Sequence, residues 1–217
     1  APRYDLLNHT LSVNIDRIWR RRAVNEVRRA NPRRILDVAT GTGDLAIALA
    51  RRIRDVQVMG VDLSEEMLAV ARRKVEARGL DSRIVLERGD AEHLEVADAS
   101  VDAATVAFGV RNFGDLAAGL CELARTIRPG GKVVILEFSR PRNRVFRALY
   151  EFYSYKILPR IGGLVSRDKR AYEYLPASVG EFPAPAEFLG MMEKAGFRNC
   201  RAKSQSCGIA QIYIGER

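Results

Sequence analysis

The sequence Asp37-Val38-Ala39-Thr40-Gly41-Thr42-Gly43-Asp44 decides the fold, because it joins the end of an apolar run to a glycine-rich turn and a helical pattern. Residues 35–39 are the short apolar run expected of a buried parallel strand. Residues 44–54 then have the pattern of a helix. A strand, a glycine turn and a helix in this order form the first unit of a nucleotide-binding α/β sheet.

Strand and helix patterns alternate on either side of this unit. A helix is predicted over residues 15–30 and ends at Asn31-Pro32. Further strands are predicted at residues 56–63, 84–87, 101–108 and 133–138, and further helices at 64–78, 115–128 and 185–196. Residues 197–206 and 209–214 indicate a terminal hairpin. This pattern predicts a doubly wound, seven-stranded, Rossmann-like α/β sheet that is mostly parallel, with an antiparallel C-terminal hairpin.

The length of 217 residues allows one large domain, and we expect a single domain over residues 1–217. It divides into an N-terminal helical cap at 1–30, a cofactor-binding core at 31–139 and a C-terminal helix and hairpin at 184–217. The intervening residues 140–183 break the alternation with prolines and a Gly-Gly pair, and they hold most of the tyrosines. We predict that they form an inserted helical lid.

Composition excludes several classes of protein. The hydrophobic fraction of 47% and charged fraction of 29% are those of a soluble globular protein. No apolar run approaches the ~20 residues that span a bilayer, and no signal-peptide pattern is present, which favours a cytoplasmic location. Three scattered cysteines and two histidines predict no metal site. The sequence does not indicate an oligomeric state.

The net charge of +9 allows several partners. A basic surface without a partner, an anionic membrane surface, an acidic substrate and a nucleic acid would each account for it. No basic helix-turn-helix pattern or aromatic RNP-like strand is found, so no nucleic-acid partner is expected.

The glycine turn alone leaves two cofactors open. Its residues 41–46 satisfy the dinucleotide pattern G-x-G-x-x-[GA], so an NAD(P)-dependent oxidoreductase remains an alternative. Asp44 at the helix start would, however, repel a pyrophosphate by ~1–4 kcal/mol at contact. Asp37, four residues before Gly41, completes a D-x-x-x-G-x-G arrangement typical of methyltransferases that use S-adenosylmethionine. S-adenosylmethionine carries no phosphate and is therefore the favoured cofactor.

Acidic residues after successive strands suit the other parts of that cofactor. Asp37 is expected to position the methionine ammonium, and the glycines allow the backbone to approach the methionine closely. Asp62 at the end of the second strand can accept both ribose hydroxyls. Asp90 can accept from the adenine amino group while the Ala91 N–H donates to the ring. The predicted cofactor-binding residues are Asp37, Gly41, Thr42, Gly43, Asp62, Leu63, Asp90 and Ala91.

Further motifs resemble the ubiquinone/menaquinone biosynthesis C-methyltransferase family (demethylmenaquinone methyltransferase-like, class I). They are Tyr4-Asp5-Leu6-Leu7-Asn8, Arg17-Ile18-Trp19-Arg20, Phe108-Gly109-Val110-Arg111-Asn112-Phe113, residues 125–139 and residues 172–178. The chain departs from the family pattern at Leu7, where methionine is usual, at Asp16, where histidine is common, and at Ala107, where serine is frequent.

This resemblance implies methylation of a ring carbon on a polyprenylated, lipophilic quinol precursor, with demethylmenaquinol to menaquinol favoured. Arg111 and Asn112 follow the fourth strand, at the sheet edge where ligands bind in this architecture. We expect Arg111 to stabilise the phenolate and Asn112 to orient it, with Tyr4 folding over the pocket. Another small-molecule or RNA substrate for a methyltransferase of this kind remains an alternative.

The predicted lid combines an apolar stripe with positive charge. Its apolar residues at helical spacing are Val145, Phe146, Leu149, Phe152, Tyr153 and Ile157, and its basic residues are Arg140, Arg142, Arg144 and Arg147. Such a stripe is more often part of a core. For an enzyme with a prenylated substrate, it also suits peripheral contact with an anionic membrane at the inner face of the cell membrane.

Overall fold

A computed structural model describes residues 15–141 and 179–217. The strands are β1 (Arg34–Val38), β2 (Gln57–Asp62), β3 (Ile84–Arg88), β4 (Val101–Ala107), β5 (Ile127–Phe138), β6 (Arg198–Gln205) and β7 (Ala210–Glu216). The helices are α1 (Asp16–Arg28), α2 (Asp44–Arg52), α3 (Glu65–Glu76), α4 (Leu116–Thr126) and α5 (Pro185–Lys194), with short 3₁₀ turns at Val110–Asn112 and Ser206–Gly208.

The seven strands form one sheet in the order β3-β2-β1-β4-β5-β7-β6. The first five strands run parallel, whereas β7 pairs antiparallel with both β5 and β6. The predicted doubly wound sheet and its C-terminal hairpin are therefore confirmed. Chain order reverses direction across the sheet between β1 and β4, and such switch points are where open α/β sheets bind ligands.

The main difference from the predicted elements lies at the start of β5. Pro129-Gly130-Gly131 was expected to separate the preceding helix from a strand beginning at residue 133. Instead, the helix ends at Thr126 and pairing with β4 already begins at Ile127, with an irregular register between Val101 and Ala103. The glycines stay in the strand as a bulge, because the Gly130 N–H donates to the Arg217 carbonyl and the Arg217 N–H donates to Gly131.

Both faces of the sheet are covered by helices. Successive residues of β1 show this, because Ile35 packs into the cluster formed with α1 and α2 while Leu36 packs into the cluster formed with α4 and α5. This alternation follows from the two-residue period of a strand. Burial on both faces also explains why the central strands are almost uniformly apolar.

Trp19 fixes α1 against the ends of two central strands. Its side chain is buried, and its rings lie 6.3 Å from Phe108 and 6.1 Å from Phe138, centroid to centroid. The indole N–H donates to the Ser206 hydroxyl at 2.9 Å, which ties the helix to the C-terminal hairpin. Buried aromatic side chains typically contribute several kcal/mol to the stability of the folded state. The packing of Trp19 therefore holds this turn of α1 in place, and Arg20 is the next residue along the helix.

Several predictions concern residues outside the described part of the chain. Tyr4 and most of the N-terminal cap precede residue 15, and the apolar stripe and most arginines of the expected lid lie within residues 142–178. Within residues 15–141 and 179–217, no helix is long and apolar enough to cross a membrane. The same residues contain no group of histidine, cysteine and acidic side chains arranged to hold a metal ion.

Candidate active site

A cavity of about 280 Å³ opens where the sheet order reverses, at the carboxyl ends of β1, β2 and β4. Its lining carries most of its polar groups on the β1 and β2 side, where Leu45 and Met67 are also present, and it includes aromatic and apolar groups on the β4 side. The lining residues are Arg20, Asp37, Ala39, Thr40, Gly41, Thr42, Asp44, Leu45, Asp62, Ser64, Met67, Ala107, Phe108, Gly109 and Asn112.

The loops that follow β1 and β4 pack closely and adopt unusual backbone conformations. Ala39 and Phe108, each the first residue after its strand, have positive φ angles of 51° and 59°. A Cβ on Gly109 would lie 2.5 Å from the Ala39 Cβ, so only glycine allows this approach. Strain of this kind is often concentrated at functional sites, and here it shapes the cavity wall.

Asp37 is a carboxylate buried at the base of the cavity, with 1% of the residue exposed. Its two oxygens accept hydrogen bonds from the Thr40 and Thr105 hydroxyls, each at 2.6 Å. Burial nevertheless raises the pKa of Asp37 to about 6, because two neutral hydroxyls and the positive charge of Arg20 only partly replace the lost water. A cation bound beside Asp37 would therefore be strongly favoured.

Asp62 presents a second carboxylate whose orientation is already fixed. One oxygen accepts from the Gly41 N–H at 2.8 Å, and the other accepts from the Ser64 N–H at 2.9 Å. Each carboxylate oxygen has capacity for a further donor. The side chain is thus held in a geometry that can accept from two adjacent hydroxyl groups, as the prediction of ribose binding requires.

Asp44 forms an ion pair that the sequence pattern did not reveal. Its carboxylate lies 2.5 Å from the Lys74 ammonium, which also donates to the Thr42 hydroxyl at 2.9 Å. Lys74 offsets the negative charge that was expected to repel a pyrophosphate. The charge of Asp44 therefore does not by itself distinguish S-adenosylmethionine from a dinucleotide, and that distinction needs independent support.

Arg111 lies beside the cavity rather than in its lining. Its guanidinium donates to Glu137 at 2.6 Å and to the Phe108 carbonyl at 2.7 Å, and the two charged side chains are 1% and 0% exposed. The Phe138 N–H also donates to Glu137, at 2.8 Å. This buried pair ties the ends of β4 and β5 together, and breaking such a pair typically costs about 3–5 kcal/mol.

Comparison with known proteins supplies the missing distinction. A model of the ubiE/COQ5 methyltransferase family matches residues 1–217. The chain belongs to this family. The match spans the full sequence, including the N-terminal and middle segments that lie outside the described residues, and it agrees with the resemblance drawn from the motifs.

Individual relatives are similar over nearly their whole lengths. The ubiquinone/menaquinone biosynthesis C-methyltransferase UbiE of Geobacter sulfurreducens is 48% identical, with 100% of this chain and 85% of that protein covered. The demethylmenaquinone methyltransferases of Deinococcus radiodurans and Thermus thermophilus are also 48% identical and are covered over 89% and 97% of their lengths.

Solved structures agree with the fold. A putative S-adenosylmethionine-dependent methyltransferase of Methanococcus maripaludis superposes with a TM-score of 0.68 at 20% identity, covering 100% of this chain and 91% of that chain. An S-adenosylmethionine-dependent methyltransferase of Aquifex aeolicus has a TM-score of 0.62 at 20% identity, covering 85% and 82%. At this identity the likeness shows the class I methyltransferase fold alone.

The structure brings five of the predicted site residues of this ubiE/COQ5 family member into one cavity lining: Asp37, Gly41, Thr42, Asp62 and Asn112. Gly43, the next residue after Thr42, is the N-cap of α2 with a φ of 80° and is not part of the lining. Leu63 is 60% exposed, and the Asp90 carboxylate accepts from the Glu92 N–H at 3.0 Å. Asp90 and Ala91 follow β3 and lie outside this lining.

Three important side chains were not predicted as site residues. Thr105 could have been anticipated, because it lies opposite Asp37 in the β1–β4 register as a hydroxyl within an apolar strand. Glu137 likewise stands out as an acid at the end of the apolar strand β5. Arg20 belongs to a motif segment quoted above, but only the packing of α1 places its side chain at the cavity.

Replacing Asp37 tests the cost of its burial. Because its folded pKa of about 6 exceeds the ordinary value of 3.8, its contribution to stability is complete below pH 3.8 and is lost as the pH rises through 6. Asp37→Asn, which resembles the neutral form, should therefore gain stability relative to the cofactor-free wild type over this range. We expect a relative gain of about 3 kcal/mol by pH 7, measured by urea unfolding.

The Glu66→Gln variant, which neutralises an exposed carboxylate on α3, controls for removal of a single negative charge. A difference between Asp37→Asn and wild type that stays constant from pH 4 to pH 8 would contradict the account of a desolvated carboxylate.

Proposed function

We propose that the protein transfers a methyl group from S-adenosylmethionine to a ring carbon of a polyprenylated quinol precursor, with demethylmenaquinol as the favoured substrate. The observation that carries this proposal is the full-length family match together with a switch-point cavity that presents Asp37 and Asp62. The names of the Deinococcus and Thermus relatives favour a naphthoquinol ring.

The described residues fit the proposed cofactor. Asp37 would face the methionine ammonium, which would supply the compensation for burial that the two hydroxyls and Arg20 provide only in part. Asp62 would accept from the ribose hydroxyls with oxygens already oriented by Gly41 and Ser64. Asp90 and Ala91 would meet the adenine beyond the described cavity. When bound, the sulfonium group supplies an electrophilic methyl.

The quinol ring would lie against the β4 side of the cavity. Phe108 and Ala107 offer apolar surface there, and Asn112 contributes a carboxamide that can hold the phenolic oxygen. A ring carbon becomes nucleophilic when the adjacent phenol loses its proton, so groups that stabilise the phenolate favour the reaction. The reacting carbon gains the methyl group and releases its ring proton to restore aromaticity.

Arg111 and Tyr4 are also proposed to take part in the reaction, although only Arg111 lies within the described residues. The Arg111 guanidinium is paired with Glu137 in the described structure, so its contact with the phenolate is a proposal for the substrate complex. Through its bond to the Phe108 carbonyl, it also positions the cavity wall. Tyr4 precedes the described residues, and its proposed place is over the pocket.

The direct test supplies the purified protein with S-adenosylmethionine labelled at the methyl group and a reduced, prenylated naphthoquinol or benzoquinol lacking that methyl. We expect labelled methyl on a ring carbon of the naphthoquinol, identified by mass spectrometry and by NMR of the product. Asn112→Ala should lower kcat by about 10–100-fold, because the exposed carboxamide would act on the substrate.

Gln57→Ala is the matched control, since it removes an exposed carboxamide at the opposite edge of the sheet. Transfer to neither quinol, despite cofactor binding, would contradict the proposed substrate class. Equal kcat for Asn112→Ala and wild type would remove Asn112 from the mechanism.

We also propose peripheral contact with an anionic membrane, supported by the outer surface of α1. Ile15 and Ile18 are 38% and 50% exposed and lie three residues apart at the start of this helix. Arg17 and Arg21 accompany them and line a groove of about 370 Å³ between α1 and α2, together with Arg20 and Arg52. Exposed isoleucines flanked by arginines suit an interface with anionic lipid headgroups.

This surface adjoins the active site, because Arg20 and Asp44 line both the groove and the cavity. A prenylated substrate could therefore reach the cavity from the lipid phase.

Flotation with liposomes tests the membrane proposal. The protein should float with vesicles containing anionic phosphatidylglycerol at low salt and be released at high salt, because screening weakens surface electrostatics. The double variant Arg17→Glu/Arg21→Glu should lose flotation. Arg54→Glu, an exposed arginine beyond the end of α2, should keep it. Absence of wild-type flotation at low salt, or equal flotation of the double variant, would contradict the proposal.

A further inference from the structure

The active-site cavity has an uneven distribution of charge. Three acids line it, namely Asp37, Asp44 and Asp62, and Lys74 lies against Asp44. Among the described residues that line the cavity, Arg20 is the only basic one. Its charge acts on Asp37 and lowers the pKa of that carboxyl against the larger effect of burial. A ligand with its own negative group would therefore find its cationic partner at Arg20.

Arg20 is held in place from two directions. Its guanidinium pairs through one Nη with Asp16, one turn earlier on α1, and the Asp16 side chain is 1% exposed. The guanidinium carbon also lies 5.3 Å from the centre of the Phe108 ring. Trp19, the neighbouring residue, anchors the same turn of the helix against Phe108 and Phe138. This support fixes the arginine before any ligand binds.

We propose that Arg20 binds the α-carboxylate of the cofactor's amino-acid end. This inference rests on the proposed use of S-adenosylmethionine. The α-carbon of an amino acid carries both an ammonium and a carboxylate, so its site needs an anionic and a cationic side chain close together. Asp37 and Arg20 are such a pair within one cavity lining.

The Arg20 guanidinium has N–H donors that the contact with Asp16 does not use. It carries five N–H groups in a planar fork, and the contact with Asp16 engages one nitrogen. A carboxylate can accept from the others in a charge-assisted arrangement. The nearby acids make the requirement stronger, because a carboxylate placed near Asp37 and Asp62 without a cation would be repelled, whereas the charge of Asp44 is already offset by Lys74.

The consequence is a selective preference for the complete amino-acid group. Nucleosides that share the adenosine and thioether but lack the carboxylate would gain nothing from Arg20. Arg20 would therefore make the protein bind the intact cofactor and its demethylated product more tightly than thioadenosines that lack the amino-acid end.

Binding calorimetry with two soluble probes isolates this contact. S-adenosylhomocysteine has the amino-acid end, whereas 5′-methylthioadenosine keeps the nucleoside and sulfur but lacks the ammonium and carboxylate. Arg20→Ala should weaken S-adenosylhomocysteine binding by about 10–100-fold and change 5′-methylthioadenosine binding by less than about twofold. Arg20→Lys should retain part of the lost affinity, since the charge returns without the planar fork.

Arg28→Ala is the control, an exposed arginine in the last turn of the same helix, and should change neither affinity. Equal weakening of both probes by Arg20→Ala would mean that Arg20 only shapes the cavity, and unchanged binding of both would show that it does not touch the carboxylate. Either result overturns this inference while leaving the proposed function standing. Failure of the wild type to bind either probe would overturn both.

Discussion

The buried carboxylate of Asp37 is the constraint on which the site depends. It lies at the end of β1, and the Thr105 hydroxyl that supports it comes from the paired residue of β4. A shift of one residue in this pairing would turn Thr105 to the other face of the sheet and leave the acid without that donor. The central register and the chemistry of the cavity are therefore set by the same contact.

Charged side chains around the cavity are held by oppositely charged partners, from a neighbouring element or from the same helix. Lys74 pairs with Asp44, Arg20 with Asp16, and Arg111 with Glu137. Such arrangements fix side chains before a ligand binds, which reduces the reorganisation needed during the reaction. The three pairs differ in position: Arg111 is enclosed between β4 and β5, whereas Arg20 and Asp44 line the cavity itself. The proposed cofactor would therefore contact charged side chains that line the cavity, whereas the charge proposed to act on the quinol belongs to an enclosed ion pair.

The sequence predicted the sheet and the cavity acids because both depend on local patterns. Apolar runs and the glycine turn each specify their element within a few residues, and in the structure Ser64 and Asp115 cap the helices that they precede. Partners distant in the chain were harder to predict. Lys74 lies 30 residues from Asp44, and Glu137 lies 26 from Arg111, so neither pair has a local signature. The sequence thus placed Arg111 on the correct sheet edge without revealing Glu137, and it left Arg20 unassigned because helix docking decides its position.

The most direct test of the central claim is the ionisation of Asp37, followed by carbon-13 NMR of its carboxyl group and assigned with the Asp37→Asn variant. In the cofactor-free protein the carboxyl should titrate with a pKa of about 6. Saturation with S-adenosylhomocysteine should lower that pKa, because the bound ammonium favours the charged form. A pKa near 3.8 in the free protein, or an unchanged pKa in the complex, would contradict the account.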